Sequence, residues 1–321
     1  PLSPLLGGVG LALSAHSLLV LNGRIFGISG FLHRAVKGSE ESILSVAGLV
    51  LGGFIAGQLE GAAPPVTGHG LDRTILAGLL VGLGTKLANG CTSGHMLCGL
   101  SRLSVRSLAA TVTFFTTGAV TTRVLYGSQP YASSVAEYTY LSRTDALLLA
   151  GSAFALALSW MAPMLWPVRC WPTIRICSSY CAPLSPRRSP KMRQKSWKFI
   201  FFTAISFALS LRVSKLVDPY RVIKFLLLPS HPAFDPALLS LATGAIPLLM
   251  AQYRLSQVKI NIVGLVDAKL LIGAALFGIG WGIEGICPGP GLVNLGQALA
   301  TGTEVRKFGA WLAAVIIGGL I

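Results

Sequence analysis

Long apolar runs separated by short polar breaks dominate the chain. Residues 5–21 are apolar and, at about 1.5 Å per helical residue, about long enough to cross a bilayer core. A glycine-rich break from Asn22 to Gly30 follows, then a half-helix at Phe31 and Leu32, too short to cross, and a polar loop from His33 to Glu41. Residues 43–59 form a second span, and a loop around Pro64 and Pro65 leads to a pair of apolar arms, 72–88 and 92–103, that read as a hairpin interrupted at Cys91. Residues 105–124 and 146–165 are further spans, joined by a long polar loop from Tyr126 to Arg143. After a basic stretch the plan returns: a span at 199–211, a short helix at 216–226, a span opened by Asp235-Pro236, a second interrupted hairpin at 267–283 and 289–299, and a last span at 305–321. Asp218 and Pro219 stand at the N-cap and first helical position of the short helix, where an Asp acceptor and a residue without an N–H both fit. The pattern predicts an all-α polytopic membrane protein.

The two interrupted segments echo each other. Gly82 aligns with Gly278, Gly84 with Gly280 and Cys91 with Cys287; a one-residue slip then aligns Asp72 with Asp267 and Gly78 with Gly273. A helix inside a membrane can be interrupted only where its freed backbone groups are buried in protein or face a cavity. Matching Gly/Pro breaks in two halves therefore point to a transport site, against the plainer reading of two kinked structural helices with incidental thiols. Three regions follow: an N-terminal membrane repeat at 1–165, a basic linker at 166–197 and a C-terminal repeat at 198–321.

Composition supports this. Of 321 residues 53% are hydrophobic and 12% charged, about half the charged share of a soluble domain. The formal charge of +15 sits in short loops and in the linker, where eight Lys/Arg residues lie between Pro163 and Lys198. Such clusters read as cytoplasmic topology signals and lipid-headgroup contacts. Their arrangement with aromatic residues does not suggest base stacking, so nucleic acid is not an expected partner and membrane lipid is. With the linker inside and each broken segment re-entrant, the Arg102/Arg106 turn and the Arg254/Lys259 loop fall inside and the 126–143 loop outside. Each half then reads as span, outer re-entrant helix, span, inner re-entrant hairpin, span, with one extra span before the linker.

Of six cysteines, Cys91, Cys98 and Cys287 lie in the broken segments, and Cys170, Cys177 and Cys181 in the linker, as reduced thiols or lipidation sites. None forms a CxxC pair, so no metal site is expected, and no haem, quinone, flavin or iron–sulfur motif calls for a cofactor. No charged stretch followed by a cleavable apolar segment opens the chain, so no signal peptide is expected.

At these breaks the chain resembles the YeeE/YedE family of sulfur transporters. The resemblance rests on Asn89-Gly90-Cys91-Thr92-Ser93-Gly94-His95 and on Gly280-Trp281-Gly282-Ile283-Glu284-Gly285-Ile286-Cys287-Pro288-Gly289-Pro290, supported by Asn22 to Gly30 and by Val217-Asp218-Pro219 through Asp235-Pro236. It covers both halves and spares the linker. It implies two homologous halves whose re-entrant broken helices form an hourglass-like pore in the plasma or inner membrane. It further implies a non-enzymatic importer of thiosulfate or a related sulfur anion along a path lined by Cys91 and Cys287, with a cytoplasmic sulfur-carrier protein as an expected partner. Some relatives carry a third cysteine where Phe26 stands here.

The chemistry fits such an anion. Half-helices starting at Thr92 and Gly289 would aim N–H groups and partial positive charge at the midplane. A neutral thiol donates and accepts weakly, which suits a soft sulfur atom that must also leave. Gly90, Gly94, Gly289 and Gly291 let the backbone approach, Thr92 and Ser93 cap the first half-helix, and Pro288 stands with them along the expected substrate path. Cys98, seven residues after Cys91, reads as a third thiol on nearly the same face or as a small buried hydrophobe. His95 reads as a donor behind the thiols or a packing histidine, Arg24 as an attractor at the outer mouth or a snorkelling side chain, and Lys86 as an ion-pair partner or a vestibule cation. Glu284 reads as a structural partner or a proton-coupled group. Two other functions stay open: transport of another soft sulfur or selenium species, and thiol-based redox chemistry in the membrane.

Overall fold

The structure is a computed structural model describing residues 2–128, 141–165, 197–256 and 265–321. The centre of the 126–143 loop, the linker with Cys170, Cys177 and Cys181, and Lys259 lie outside the described residues. Among those described, 79% are helical and none is in a strand. In chain order the helices are α1 (Leu2–Asn22), α2 (Ile28–Val36), α3 (Glu40–Glu60), α4 (Leu71–Ala88), a π-helical segment (Ser93–Gly99), α5 (Val105–Tyr126), α6 (Arg143–Leu165), α7 (Trp197–Val213), α8 (Pro219–Leu226), α9 (Ala237–Leu255), α10 (Ala268–Glu284), α11 (Pro288–Thr301) and α12 (Val305–Leu320). Six stretches among the described residues are long and apolar enough to cross a bilayer, or seven if the bent pair of α4 and the π segment counts as one. The protein is a multi-pass integral membrane protein.

Caps and helix ends follow the sequence closely. The Asp218 carboxylate accepts the Tyr220 N–H at 2.9 Å, Asp235 accepts the Ala237 N–H at 2.9 Å, and Asp267 accepts the Leu270 N–H at 3.1 Å. α2 departs from expectation, continuing through His33 and Arg34 to Val36 instead of ending in a polar loop. Both side chains have helical partners: the Arg34 guanidinium lies 5.2 Å from the Phe31 ring centroid, and His33 packs against Gly319 of α12.

Glycine sets how the helices approach, as expected where lipid supplies no hydrophobic drive for association. A methyl at Gly84 would collide with Phe277, and one at Gly273 with Ala88, so α4 and α10 run antiparallel with backbones almost touching. Gly78 and Gly82 meet Trp311 and Val315, making α4 and α12 parallel. Trp281, Trp311, Phe114 and Phe277 fill the interior, with Phe114 edge-on to Phe277 at 5.3 Å.

These contacts fix the two ends of the bundle. α5 runs parallel to α10, with Arg106 3.3 Å from Asp267 and the Thr122 hydroxyl donating to the Gly282 carbonyl at 3.2 Å. Because α10 opposes α4 and α4 parallels α12, the Arg106–Asp267 pair lies at the end of Ala88 and Gly319. His33 packs on Gly319, so α2 and the Arg24–Glu41 pair (2.8 Å) lie at this end too. The expected outer position of the first re-entrant helix is therefore corrected: it shares the end of Arg102 and Arg106. The reason is that α4 and the π segment together traverse the bundle, which shifts the parity by one crossing. The opposite end carries Asp145 with Lys215 at 2.7 Å and Glu60 with Arg212 at 2.7 Å.

Candidate functional site

Each broken segment stops at a left-handed residue. Asn89, at φ 56°, ends α4, and the Gly90 N–H returns to the Thr85 carbonyl at 3.1 Å. This closes the helix and redirects the chain toward Cys91. The following π segment is bent by 50° from α4. At the second break Gly285 adopts φ 71° and lies so close to the Pro219 carbonyl that a Cβ would clash. Glycine is required there for both reasons.

The arms are not antiparallel hairpin arms. Glu284, at the end of α10, is fully buried beside Thr67, Thr74 and Lys307. Three residues later the Cys287 thiol meets the Thr92 hydroxyl near Cys91. α11 then climbs back, so that Gln297 donates to the Ala62 carbonyl at 2.9 Å, and after a short turn Lys307 returns to Thr67. The link from Gly285 to Cys287 thus steps back into the bundle, and α10 and α11 run the same way. Length demands this: a straight helix over the 34 residues of Ala268–Thr301 would measure about 51 Å, against a hydrocarbon core of about 30 Å.

Between the two breaks lies a cavity of about 30 Å³. Cys91, Thr92 and Ser93 line it on one side, Gly289 and Pro290 on another, and Ile28, Phe207 and Leu211 among the apolar walls. The Ser93 hydroxyl joins three elements: it lies 3.2 Å from the Cys91 thiol and accepts the Ile28 N–H of α2 at 3.3 Å. At the start of α11, Pro288 and Pro290 have no N–H, and the Gly291 N–H is spent on the Cys287 carbonyl at 2.9 Å. The Gly289 N–H is the donor left in that first turn, beside the cavity and at the positive end of a 14-residue helix.

Of the residues singled out in the sequence, Cys91, Thr92, Ser93 and Gly289 line the cavity, and Cys287 adjoins it through Thr92. Gly90 is a platform for the His95 ring, and Gly291 lies under the Trp311 indole; neither is among the lining residues. A Cβ at Gly94 would meet nothing, so its lack of a side chain is not used for close approach. His95 lies 3.2 Å from both the Ser107 hydroxyl and the Ala88 carbonyl. Arg24 is paired with Glu41, and Lys86 donates to the Gly319 carbonyl at 3.1 Å. Glu284 lies toward the Asp145 end, away from the cavity, with Lys307 at 3.6 Å. Phe26 is buried and stacked on Phe207 at 4.1 Å.

Cys98 does not share the face of Cys91, because the intervening turns are π-helical: the Leu100 N–H bonds the His95 carbonyl five residues back, which rotates the register. Its thiol points instead to the Phe26 carbonyl at 3.9 Å. Sequence reasoning missed the walls from α1, α7 and α9 (Leu11, Phe207, Leu241, Ala245), whose residues resemble any others on an apolar helix.

Comparison with known proteins agrees with this picture of a transporter. Residues 5–121 match a family model described as sulphur transport, and residues 198–321 match a family of unknown function. A "probable transporter" of Xylella fastidiosa strain 9a5c is 47% identical over 121 residues, which is 37% of this chain and 90% of that protein. A second "probable transporter", from strain Temecula1, is 32% identical over 126 residues, 35% of this chain and 79% of that protein. No solved structure matches the chain.

Proposed function

The chain belongs to the YeeE/YedE-like family of sulfur transporters, and from that premise we propose that it imports thiosulfate or a related soft sulfur anion past Cys91 and Cys287. One observation carries the reading: two separate helix breaks bring one buried thiol, Cys91, and one unspent helix-terminal N–H to a single cavity, with the second buried thiol, Cys287, adjoining it through Thr92. An anion leaving water needs donors in place of its hydration shell. The Gly289 N–H, the Thr92 and Ser93 hydroxyls and the positive end of α11 supply them without a fixed cation. The thiols meet the sulfur end of the ion weakly enough to let it go. The π segment has only seven residues, so the helix-end charge comes chiefly from α11. Family names point to transport, and the thiols act here as contacts, with no bond made or broken.

At about 10–15 Å³ per water the cavity holds about two waters, less than a five-heavy-atom oxyanion requires. The constriction therefore has to widen as thiosulfate passes, with Ile28, Met96 and Leu211 as the movable side chains. The same narrowness supports a second reading, passage of a smaller sulfur species such as sulfide, which needs little opening. Uptake of sulfur-labelled thiosulfate into sealed proteoliposomes, with sulfate and sulfide as competitors, tests both. Saturable thiosulfate uptake that sulfate does not inhibit supports the first reading. Silence toward thiosulfate together with sulfide flux transfers the function to the second, and no flux of either refutes both.

A further inference from the structure

Beyond the cavity, toward the Arg106–Asp267 end, lies a second place where a thiol and a polar group meet in an apolar interior. The Cys98 side chain is fully buried and within electrostatic reach of Cys91. Next to it stands the hydroxyl of Tyr253 from α9, a residue only 5% exposed. That hydroxyl has no nitrogen or oxygen hydrogen-bond partner. A buried phenol oxygen whose neighbour is only a weakly hydrogen-bonding thiol costs free energy that a simple packing role would avoid by using phenylalanine. Arg102 stands at the same site: its Nε–H donates to the Cys98 carbonyl at 2.8 Å, and its charge acts on both Cys98 and Tyr253. From the cavity outward the order is therefore Cys91, Cys98 with Tyr253, then Arg102 near the bundle end.

We propose that Cys98 and Tyr253 form a second substrate-contacting station, which receives the sulfur anion after Cys91 and hands it to Arg102 at the mouth on the Arg106–Asp267 end. This rests on the transport reading above. The chemistry resembles that of the first station: a soft sulfur atom, and a hydroxyl able to donate to an anionic oxygen. The anion's oxygen is a stronger acceptor for the phenol than the Cys98 thiol is. Arg102 adds a full positive charge close to bulk water, where release is favoured by hydration and the pull is moderated by solvent. Two stations in series lower the depth of any single well and let one ion displace another.

The test uses the full-length wild-type protein in proteoliposomes, alkylated with N-ethylmaleimide and read cysteine by cysteine by peptide mass spectrometry, with and without saturating thiosulfate. The proposal expects thiosulfate to slow alkylation of Cys98 at least severalfold, as it slows that of Cys91 and Cys287. Protection of Cys91 and Cys287 without any change at Cys98 would overturn the station and leave the transport reading standing. No protection at any of the three would sink both. Tyr253→Phe, which keeps the ring and removes only the hydroxyl, supplies the functional arm. Its thiosulfate uptake should fall severalfold while its thermal unfolding is unchanged or improved. Uptake at the wild-type level in Tyr253→Phe would also overturn the station, because a packing role predicts that result.

Discussion

Substituting Gly289 by alanine places one methyl group in the wall of the cavity, against Ile28. The added Cβ would lie 2.6 Å from Ile28 Cδ1 and 3.5 Å from Leu211 Cδ1. Carbon atoms pack comfortably at about 3.5–4.0 Å, so Ile28 has to yield by about 1 Å. That atom is the tip of a side chain, so the fold should tolerate the change at about 1–2 kcal/mol, the low end of overpacking costs. The cavity cannot tolerate it as well, because about 30 Å³ leaves room for only about two waters. If opening the constriction costs about 1.4–2.8 kcal/mol more, uptake falls about 10- to 100-fold. Ile28→Val removes the Cδ1 atom that the methyl strikes, and the double variant should recover most of the lost flux. Thiosulfate uptake by wild type, both single variants and the double variant, each with a melting curve in detergent, measures this. Wild-type uptake by Gly289→Ala would refute the placement of the constriction. Loss that Ile28→Val does not relieve would refute the collision as its cause.

Three further outcomes follow from the same contacts. Glu284 and Lys307 are a buried pair, so Lys307→Met, which strands the carboxylate, should destabilise by about 3–5 kcal/mol. Glu284→Gln should cost less, because Lys307 keeps the Thr67 and His69 carbonyls; melting temperatures that reverse this order would contradict the network. Asp267 is held below the usual carboxylate range, first by the Leu270 N–H and then by Arg106. Its stabilising effect is present above its unfolded value near 3.9 and is lost as pH falls through the folded value. Asp267→Asn should therefore melt lower than wild type at neutral pH and converge with it at strongly acid pH; a constant gap down to low pH would contradict this. Arg24 is tied to Glu41 at the Arg106 end, so Arg24→Gln should leave the initial rate of uptake unchanged from the opposite side, whereas a raised KM would restore it as an entry-mouth residue.

Much of this was legible in the chain because lipid enforces strict rules. Spans, the cap at Asp218, the opening at Asp235, and both breaks follow from hydropathy, N-cap chemistry and the Gly-Cys and Cys-Pro-Gly sequences. The direction of the arms was not legible. Asn89 and Gly285 announce that a helix ends, yet a left-handed residue is equally compatible with a hairpin and with a step back into the bundle. Deciding between them took Glu284 at Lys307 and Cys287 at Thr92, contacts between distant residues. The same shift moved Arg24 from the outer mouth to the Arg106 end. The face of Cys98 was misread because seven residues make nearly two turns of an α-helix, and nothing in Ser93 to Gly99 signals π geometry. Tyr253 was overlooked because the thiol it stands beside, Cys98, lies 155 positions earlier.

Thiosulfate uptake by proteoliposomes bearing wild type, Cys91→Ala and Cys287→Ala tests most directly whether two thiols from two helix breaks pass one anion. Both sites are buried and small, so both variants should fold, and each should lose most of the flux that wild type shows. Full uptake by either variant, with wild type active in the same preparation, would contradict a path that runs past both cysteines.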